Sequence, residues 1–291
     1  MKTAKKNSSS NNKIYIKRFW IIFASGFGFV FLLFTLLSLG WLGFMPSFED
    51  LENPKSNLAS EVLTADQQVL GKYYIENRSN IHYNELSPHL IDALIATEDA
   101  RFEAHSGVDL RSVFRVLGKT IIGRQKSSGG GSTITQQLAK NLFPRDKNQW
   151  KIFMVLTKFK EWITAAKLER NYSKEEIIAM YFNTVDFGSN SFGIKTAART
   201  YFNKTPDSLK IEEAALLVGI LKAPTYYSPI RNPENAMKRR EVVLNQMRKY
   251  KYITQEQYDS LRLIPIDMSR YTMQDHSEGL GTYSENIYGY I

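Results

Sequence analysis

The sequence of 291 residues contains no cysteine. This absence excludes a disulfide framework, a thiol nucleophile and a metal site built on cysteine. No internal repeat is present, and few segments after residue 80 alternate apolar and polar residues as a half-buried strand would. The sequence therefore predicts a mainly α fold with one helical domain.

Charged residues are missing from Phe19–Phe48, and the stretch Trp20–Phe44 is almost wholly apolar. About 20 apolar residues suffice to cross a bilayer as a helix. Charges would interrupt a buried core helix of this length, and the apolar part of a cleaved signal peptide would be shorter, about 7–15 residues. Residues 19–44 are therefore predicted to form one uncleaved transmembrane helix.

The formal net charge of +9 suits a nucleic acid, an anionic membrane surface or a phosphorylated substrate. Lysine and arginine residues cluster before the apolar run, whereas Glu49, Asp50 and Glu52 follow it. This bias predicts a cytoplasmic N-terminus, with the residues beyond about 45 on the outer, periplasmic side of the cytoplasmic (inner) membrane. No nucleic-acid partner is expected on that side.

Composition divides the rest of the chain into parts. They are a disordered cytoplasmic basic tail over 1–18, a stalk over 45–80, a helical domain over 81–265 and a linker or C-terminal tail over 266–291. Within the stalk, Glu61–Leu63 and Val69–Ile75 have the composition of short strands.

Capping signals predict where helices of the domain begin. Ser87 followed by Pro88 fits the N-cap and first position of a helix that runs to about Ala100. Capping-box spacing recurs twice, in Thr133 with Gln136 and in Ser173 with Glu176. Further helices are predicted over about 149–170, 211–221 and 233–250.

Glu98 lies on the apolar stripe of the first of these helices, since Ile91 and Leu94 stand seven and four residues before it and Phe102 stands four after it. A carboxylate there would be partly desolvated and suited to accept a proton as a general base. The open alternative is an ordinary glutamate at a helix end, solvated or paired with Arg101.

Glu161 is a second candidate, because helical spacing places it on one face with Lys151 and Lys158. Two cations beside one acid suit a diphosphate, which the lysines would neutralise while the acid orients a cation. The open alternative is a solvated helix face with an ion pair worth only about 0.2–0.5 kcal/mol.

The segment Ser127–Asn141 is the most specific local signal. Its glycines would let the backbone approach a ligand, and they lead into a helix N-terminus, where free N–H groups attract anions. Gln136, Gln137 and Lys140 add donors suited to sugar hydroxyls and phosphate. No Gly-Lys-Ser/Thr follows the glycines, so the segment is not a Walker loop. A flexible linker before a capped helix is the alternative.

Five ordered motifs span about residues 85–250. They are Glu98-Asp99-Ala100-Arg101-Phe102 with His105, Gly107 and Asp109; Gly130–Asn141; Lys158-Phe159-Lys160-Glu161 to Leu168-Glu169; Ser173–Ile177 to Tyr181-Phe182-Asn183; and Glu213–Leu217 with Arg239-Arg240 to Leu244 and Met247. Together they resemble the glycosyltransferase module of class A penicillin-binding proteins and of monofunctional peptidoglycan transglycosylases.

The resemblance implies a lysozyme-like, mainly α fold with two lobes around a cleft. It implies a peptidoglycan glycosyltransferase that polymerises lipid II into β-1,4-linked glycan strands and releases undecaprenyl diphosphate. Glu98 would be the general base that deprotonates the 4-hydroxyl of the acceptor. Glu161 would position the donor or a divalent cation at the diphosphate.

The same resemblance implies a set of substrate-binding residues. They are Asp99, Ser132, Thr133, Gln136, Gln137, Lys140, Asn141, Lys158 and Arg240. Lys140 and Lys158 would stabilise the charge of the leaving group. A loosely held Mg²⁺ or Mn²⁺ is expected, without a closed protein metal site. The expected partners are lipid II, the growing glycan chain, the membrane and other cell-wall synthesis proteins.

One departure concerns the phosphate clamp. Family members often carry arginine directly before the lysine matched by Lys158, and this chain has Thr157 there. Lys151, Lys160 or Arg240 would then have to supply the missing charge.

Two questions stay open on the sequence. The Lys-Thr-Gly motif of a transpeptidase domain is absent, and the one Ser-x-x-Lys motif, Ser10 to Lys13, precedes the apolar run. Since Ile264–Leu280 resembles an inter-domain linker, a truncated class A protein and a monofunctional enzyme both fit.

The rival functions are a lysozyme-like hydrolase or lytic transglycosylase and a non-enzymatic cell-wall scaffold. The basic cluster and the apolar helix favour synthesis over both.

Overall fold

The computed structural model describes residues 6–41, 45–46, 60–63, 69–73, 81–121, 131–143 and 151–272. Most of the predicted stalk, Gly129 and Gly130 of the glycine-rich segment, and the end of the predicted C-terminal tail lie outside these residues.

Helix α1 spans Lys6–Ser38 and contains the apolar run. Its portion Lys13–Ser38 is long and apolar enough to cross a membrane, and almost none of it is buried against the rest of the chain. The part of the basic tail that the structure describes is helical, which corrects the prediction of disorder there. A helix already nucleated by the apolar run extends through lysine, asparagine and serine at little further cost.

The C-terminal end of α1 touches the domain. The rings of Phe34 and Phe159 meet edge to face, with their centroids 5.0 Å apart, and Leu37 is fully buried. Between α1 and the domain, strands β1 (Ser60–Leu63) and β2 (Val69–Tyr73) pair antiparallel, at the positions where the sequence predicts short strands.

The described part of the domain is built from helices joined by short loops and 3₁₀ turns, which confirms the mainly α fold. The helices are α2 Pro88–Glu98, α3 Leu110–Ile121, α4 Ile134–Leu142, α5 Lys151–Asn171, α6 Lys174–Thr184, α7 Ile194–Phe202, α8 Ile211–Ile220, α9 Pro233–Lys249 and α10 Gln255–Leu261. The 3₁₀ turns are Tyr83–Glu85, Phe102–Ala104 and Pro206–Ser208.

The two predicted capping boxes have different outcomes. Ser173 and Glu176 form the complete reciprocal box at the start of α6. At α4 only half of the box forms: Thr133 accepts from the backbone N–H of Gln136 at 3.1 Å. The Gln136 side chain turns away and donates to the carbonyl of Gly107 at 3.3 Å. The Gln136 side chain therefore binds the distant loop at Gly107 and leaves unmade the local bond to the backbone of Thr133 that a capping box requires.

The core centres on α8, in which every residue from Ala214 to Ile220 is buried. A helix that is apolar on all sides lies inside a domain. Helices α2 and α9 pack on α8 and on each other, and α4 packs on α5 and α6. These two groups of helices border a cleft, and α2 brings its last residue, Glu98, to it.

The described chain after α10 stays on the domain past the predicted boundary at residue 265. The Tyr271 ring packs against Tyr201 at 5.8 Å between centroids, and the backbone N–H of Thr272 donates to the carbonyl of Thr200 at 3.0 Å. The first residues of the predicted linker are thus part of the folded domain.

Candidate active site

The cleft between the two groups of helices has a volume of about 830 Å³. Its charged lining residues are Arg101, Arg115, Lys140, Lys158, Lys222, Arg239 and Lys249, with Glu98, Asp99, Asp109 and Glu161. Among the described residues, these seven cations and four carboxylates give an excess of positive charge. Such a cleft attracts an anionic substrate.

Glu98 is positioned by neighbours from other helices. Its side chain is 20% exposed and faces the cleft. The amide Nε2 of Gln137, on α4, donates to Glu98 Oε2 at 2.9 Å, and Nη2 of Arg239, on α9, lies 3.8 Å from Oε1. Arg101, the partner in the alternative interpretation, pairs instead with Asp109 at 3.4 Å. The Glu98 carboxylate is thus open to a ligand in the cleft, while Gln137 and Arg239 stabilise its negative charge.

A second charged cluster forms where α5 meets the loop before α4. The Lys158 ammonium donates to Glu161 Oε2 and to Ser132 Oγ, both at 2.9 Å. Glu161 is only 6% exposed, whereas the Lys158 side chain keeps 32% exposure toward the cleft. The buried acid therefore fixes the direction of a cation that remains accessible to a phosphate.

Asp99 lines the cleft, but its carboxylate is committed to protein groups. Asp99 Oδ2 lies 2.9 Å from Nε2 of His105 and accepts from the backbone N–H of Ile134 at 3.2 Å. An aspartate near a helix N-terminus stabilises the free N–H groups there. Asp99 therefore ties the start of α4 to the end of α2, next to Glu98.

Gly107 joins three of the motifs at one backbone position. Its carbonyl accepts from Thr133 Oγ1 at 2.6 Å and from Gln136 Nε2. Its φ of +87° is a conformation that favours glycine, and an added Cβ would lie 2.7 Å from the backbone C and O of Ala165 on α5. Thr133 and Gln136 are buried and line the cleft from below, so both act first as structural supports.

Two of the residues expected to bind substrate do not line the cleft. Asn141 is half-buried and lies outside its lining. Arg240 is 2% exposed, donates to the carbonyl of Ile264 and borders a separate cavity of about 250 Å³. Burial lowers the pKa of Arg240. The expectation for Arg240 is therefore corrected by its commitment to the chain after α10.

Arg239 lines the cleft at the position where Arg240 was expected. The sequence did not lead us to select Arg239 as a candidate. Arg239, Val242, Gln246 and Lys249 all line the cleft, and they follow helical i, i+3, i+7, i+10 spacing. This helical spacing is the signal in the sequence that could have shown that Arg239, and not the adjacent Arg240, faces the cleft.

Of the residues expected to compensate for Thr157, Lys160 and Arg240 do not line the cleft. Thr157 and Lys160 are half-buried and absent from the cleft lining, and burial lowers the pKa of Lys160. The side chain of Lys151 lies outside the described part of the chain. Arg115, on α3, lines the same cleft as Lys140 and Lys158, although the sequence analysis did not select it.

No cluster of three or more histidine, aspartate or glutamate side chains suited to a metal ion occurs in the described residues. Near Lys158, Glu161 offers one carboxylate to a divalent cation. Mg²⁺ usually binds through one or two carboxylates together with substrate phosphates and water. This donor set fits a cation that arrives with a diphosphate.

Residues 66–248 match the transglycosylase family. The chain belongs to this family. It is 39% identical over 216 residues to penicillin-binding protein 1A of Neisseria flavescens, covering 74% of this chain and 26% of that one. It is 36% identical over 269 residues to penicillin-binding protein 1A of Aquifex aeolicus, covering 88% and 36%.

Among solved structures, the transglycosylase chain is similar to penicillin-binding protein 1A from Haemophilus influenzae, with 21% identity and a TM-score of 0.45, over 81% of this chain and 24% of that one. The chain thus spans about a quarter to a third of the length of these relatives. Membership of the family confirms the class of enzyme that the motifs predict, a peptidoglycan glycosyltransferase.

Proposed function

We propose that this chain is a membrane-bound enzyme that polymerises lipid II into β-1,4-linked glycan strands and releases undecaprenyl diphosphate. One observation carries the proposal: Glu98, held by Gln137 and Arg239, shares its cleft with the accessible ammonium of Lys158. A proton acceptor and a phosphate-binding cation are the two groups that this transfer requires.

Glu98 is the general base of the proposed reaction. It accepts the proton of the acceptor's 4-hydroxyl while that oxygen forms a bond to C1 of the donor sugar. The bond from C1 to the diphosphate oxygen breaks on the opposite face, so the configuration at C1 inverts. General base catalysis of this kind contributes about 10²- to 10⁴-fold to a rate.

Lys158 and Lys140 stabilise the diphosphate as it leaves. Lys158 is directed by Glu161 and Ser132, so its charge requires little reorganisation during the reaction. Arg115 of α3 adds a third cation to the lining of the same cleft. A divalent cation would be held by Glu161 and the diphosphate oxygens, and it would supply further positive charge to the leaving group.

The apolar helix α1 suits a lipid-linked substrate. The contact between Phe34 and Phe159 places the end of α1 beside the residue that follows Lys158 in α5. With the N-terminus in the cytoplasm, the proposed diphosphate site lies at the outer surface of the membrane. Lipid II would then keep its polyprenyl chain in the bilayer while its headgroup enters the cleft. Other cell-wall synthesis proteins would meet the enzyme at the same surface.

Incubation of the full chain, in detergent or liposomes, with lipid II and separately with finished peptidoglycan tests this function. We expect lipid II to be consumed and to give glycan strands that a muramidase degrades. A hydrolase or lytic transglycosylase would instead shorten the peptidoglycan and leave lipid II unchanged. A non-enzymatic scaffold would change neither substrate. Either of these results would overturn the proposal.

A further inference from the structure

A line of hydrogen bonds connects the protein core to Glu98. The Tyr181 hydroxyl, on α6, donates to Oε1 of Gln137 at 3.1 Å, and Nε2 of the same amide donates to Glu98 Oε2 at 2.9 Å. Tyr181 is 2% exposed and does not line the cleft. Among the described residues its hydroxyl therefore reaches the site through Gln137, and it lies too deep to contact a substrate in the cleft.

The direction of the Gln137 amide decides what it does to Glu98. An amide has an NH₂ end that donates and a carbonyl end that accepts, whereas an ionised carboxylate only accepts. With the NH₂ end toward Glu98, the amide stabilises the negative charge. The reverse orientation would place two acceptors against each other and push the carboxylate away.

Tyr181 selects the productive orientation. Burial, and then the negative charge of Glu98, raises the pKa of Tyr181 well above its ordinary value, so its hydroxyl keeps its proton. A protonated phenol placed opposite the amide favours the carbonyl end on its own side. The NH₂ end then faces Glu98.

We propose that Tyr181 is a positioning residue, whose hydroxyl fixes the amide of Gln137 so that the Glu98 carboxylate is held in place and aimed into the cleft. This inference rests on the proposed function of Glu98 as the base. In the described part of the chain, the charged group that pairs with Glu98 is Arg239 of α9, at 3.8 Å. Arg239 remains in place when Tyr181 is changed, so the variant isolates the contribution of the amide.

A double-mutant cycle on lipid II polymerisation tests the inference. We expect Tyr181→Phe to lower kcat up to about tenfold, the size of one lost hydrogen bond between neutral groups, with KM for lipid II unchanged. Gln137→Ala should lower kcat at least as much. In the Gln137→Ala background, Tyr181→Phe should have no further effect, since a residue that acts through the amide has nothing left to position.

The matched control is Tyr201→Phe. Tyr201 is fully buried and its hydroxyl donates to the carbonyl of Phe187 at 2.9 Å; within the described residues, no hydrogen bond links it to Glu98. Tyr201→Phe should lower the unfolding free energy about as much as Tyr181→Phe does, and its kcat should stay within about twofold of wild type. Thermal unfolding of each variant shows whether it is folded. If Tyr181→Phe is not folded, the test rests on Gln137→Ala, which must then lower kcat and leave KM for lipid II unchanged.

Each outcome separates the inference from the function on which it rests. If wild type polymerises lipid II and Tyr181→Phe keeps a normal kcat, the positioning role is wrong and the proposed function stands. An equal effect of Tyr181→Phe with and without Gln137 would show a structural role only. If wild type forms no polymer, both proposals are overturned.

Discussion

Replacing Glu98 with glutamine is the sharpest test of the proposed chemistry, because it removes the proposed base and little else. Glutamine has the same shape, and its carbonyl can still accept from Gln137. The pairing with Arg239 is lost, but its separation of 3.8 Å makes it a weak ion pair, so we expect a change in unfolding free energy of about 1 kcal/mol.

The catalytic loss should be far larger than the loss of stability. Loss of a general base removes about 10²- to 10⁴-fold in rate, equivalent to roughly 3–5 kcal/mol of barrier. Lipid II consumption, followed together with the length of the glycan strands, measures this loss. Binding of lipid II should persist, because the cations of the cleft are unchanged.

Glu103→Gln is the matched control for this prediction. Glu103 lies in the 3₁₀ turn five residues after Glu98, is exposed and is outside the cleft. It undergoes the same change of charge and should leave polymerisation unaffected. A rate for Glu98→Gln within tenfold of wild type would refute the assignment of the base, since loss of a general base is expected to cost at least about 100-fold.

Three further changes test other parts of the structure. Lys140→Ala should slow polymerisation about tenfold. The effect should be smaller than that of losing a buried donor, because Lys140 is exposed. An unchanged rate would show that Lys140 does not belong to the site. Gly107→Ala should lower the unfolding free energy by about 2 kcal/mol or more, seen by denaturant unfolding, since its φ is positive and Ala165 blocks a Cβ. Ser173→Ala should cost about 1 kcal/mol in the same assay. Hydrogen bonds from the backbone N–H of Ser173 and then from its hydroxyl lower the pKa of Glu176. Only the bond from the hydroxyl to the carboxylate is lost in the variant and titrates; its part of the stability is present above the ordinary pKa value of 4.5 and disappears as pH falls through the lowered pKa, whereas the N-cap bond from the Glu176 N–H to Ser173 Oγ persists. The loss should therefore be smaller at acid pH, and a larger loss there would contradict this assignment.

Local patterns in the sequence predicted the positions of helices and of Glu98. The apolar stripe around Glu98 has helical spacing, and spacing alone decides which face of a helix points to the core. The complete capping box of Ser173 and Glu176 is equally local, because its bonds join residues three apart. Features of this kind can be read before any tertiary contact is known.

Contacts between distant residues explain what the sequence analysis missed. Gln136 leaves its expected capping box for the carbonyl of Gly107, 29 residues away. Arg240 is turned from the cleft by the carbonyl of Ile264, 24 residues later. Neither partner is visible in the local pattern, so the roles of Arg239 and Arg240 could be separated only by counting which residues of α9 share a face.

The substitution at Thr157 shows why a phosphate site is defined by space and charge more than by a position in a motif. A diphosphate interacts with every cation within a few ångströms, and charges farther apart than the Debye length of about 10 Å are screened. The cleft collects Arg115, Lys140 and Lys158 from three different helices. Loss of a positive charge at residue 157 therefore removes one contributor and leaves an excess of positive charge in the cleft. The orientation of Lys158 by Glu161 and Ser132 does not depend on residue 157, so the most directed part of the clamp is retained.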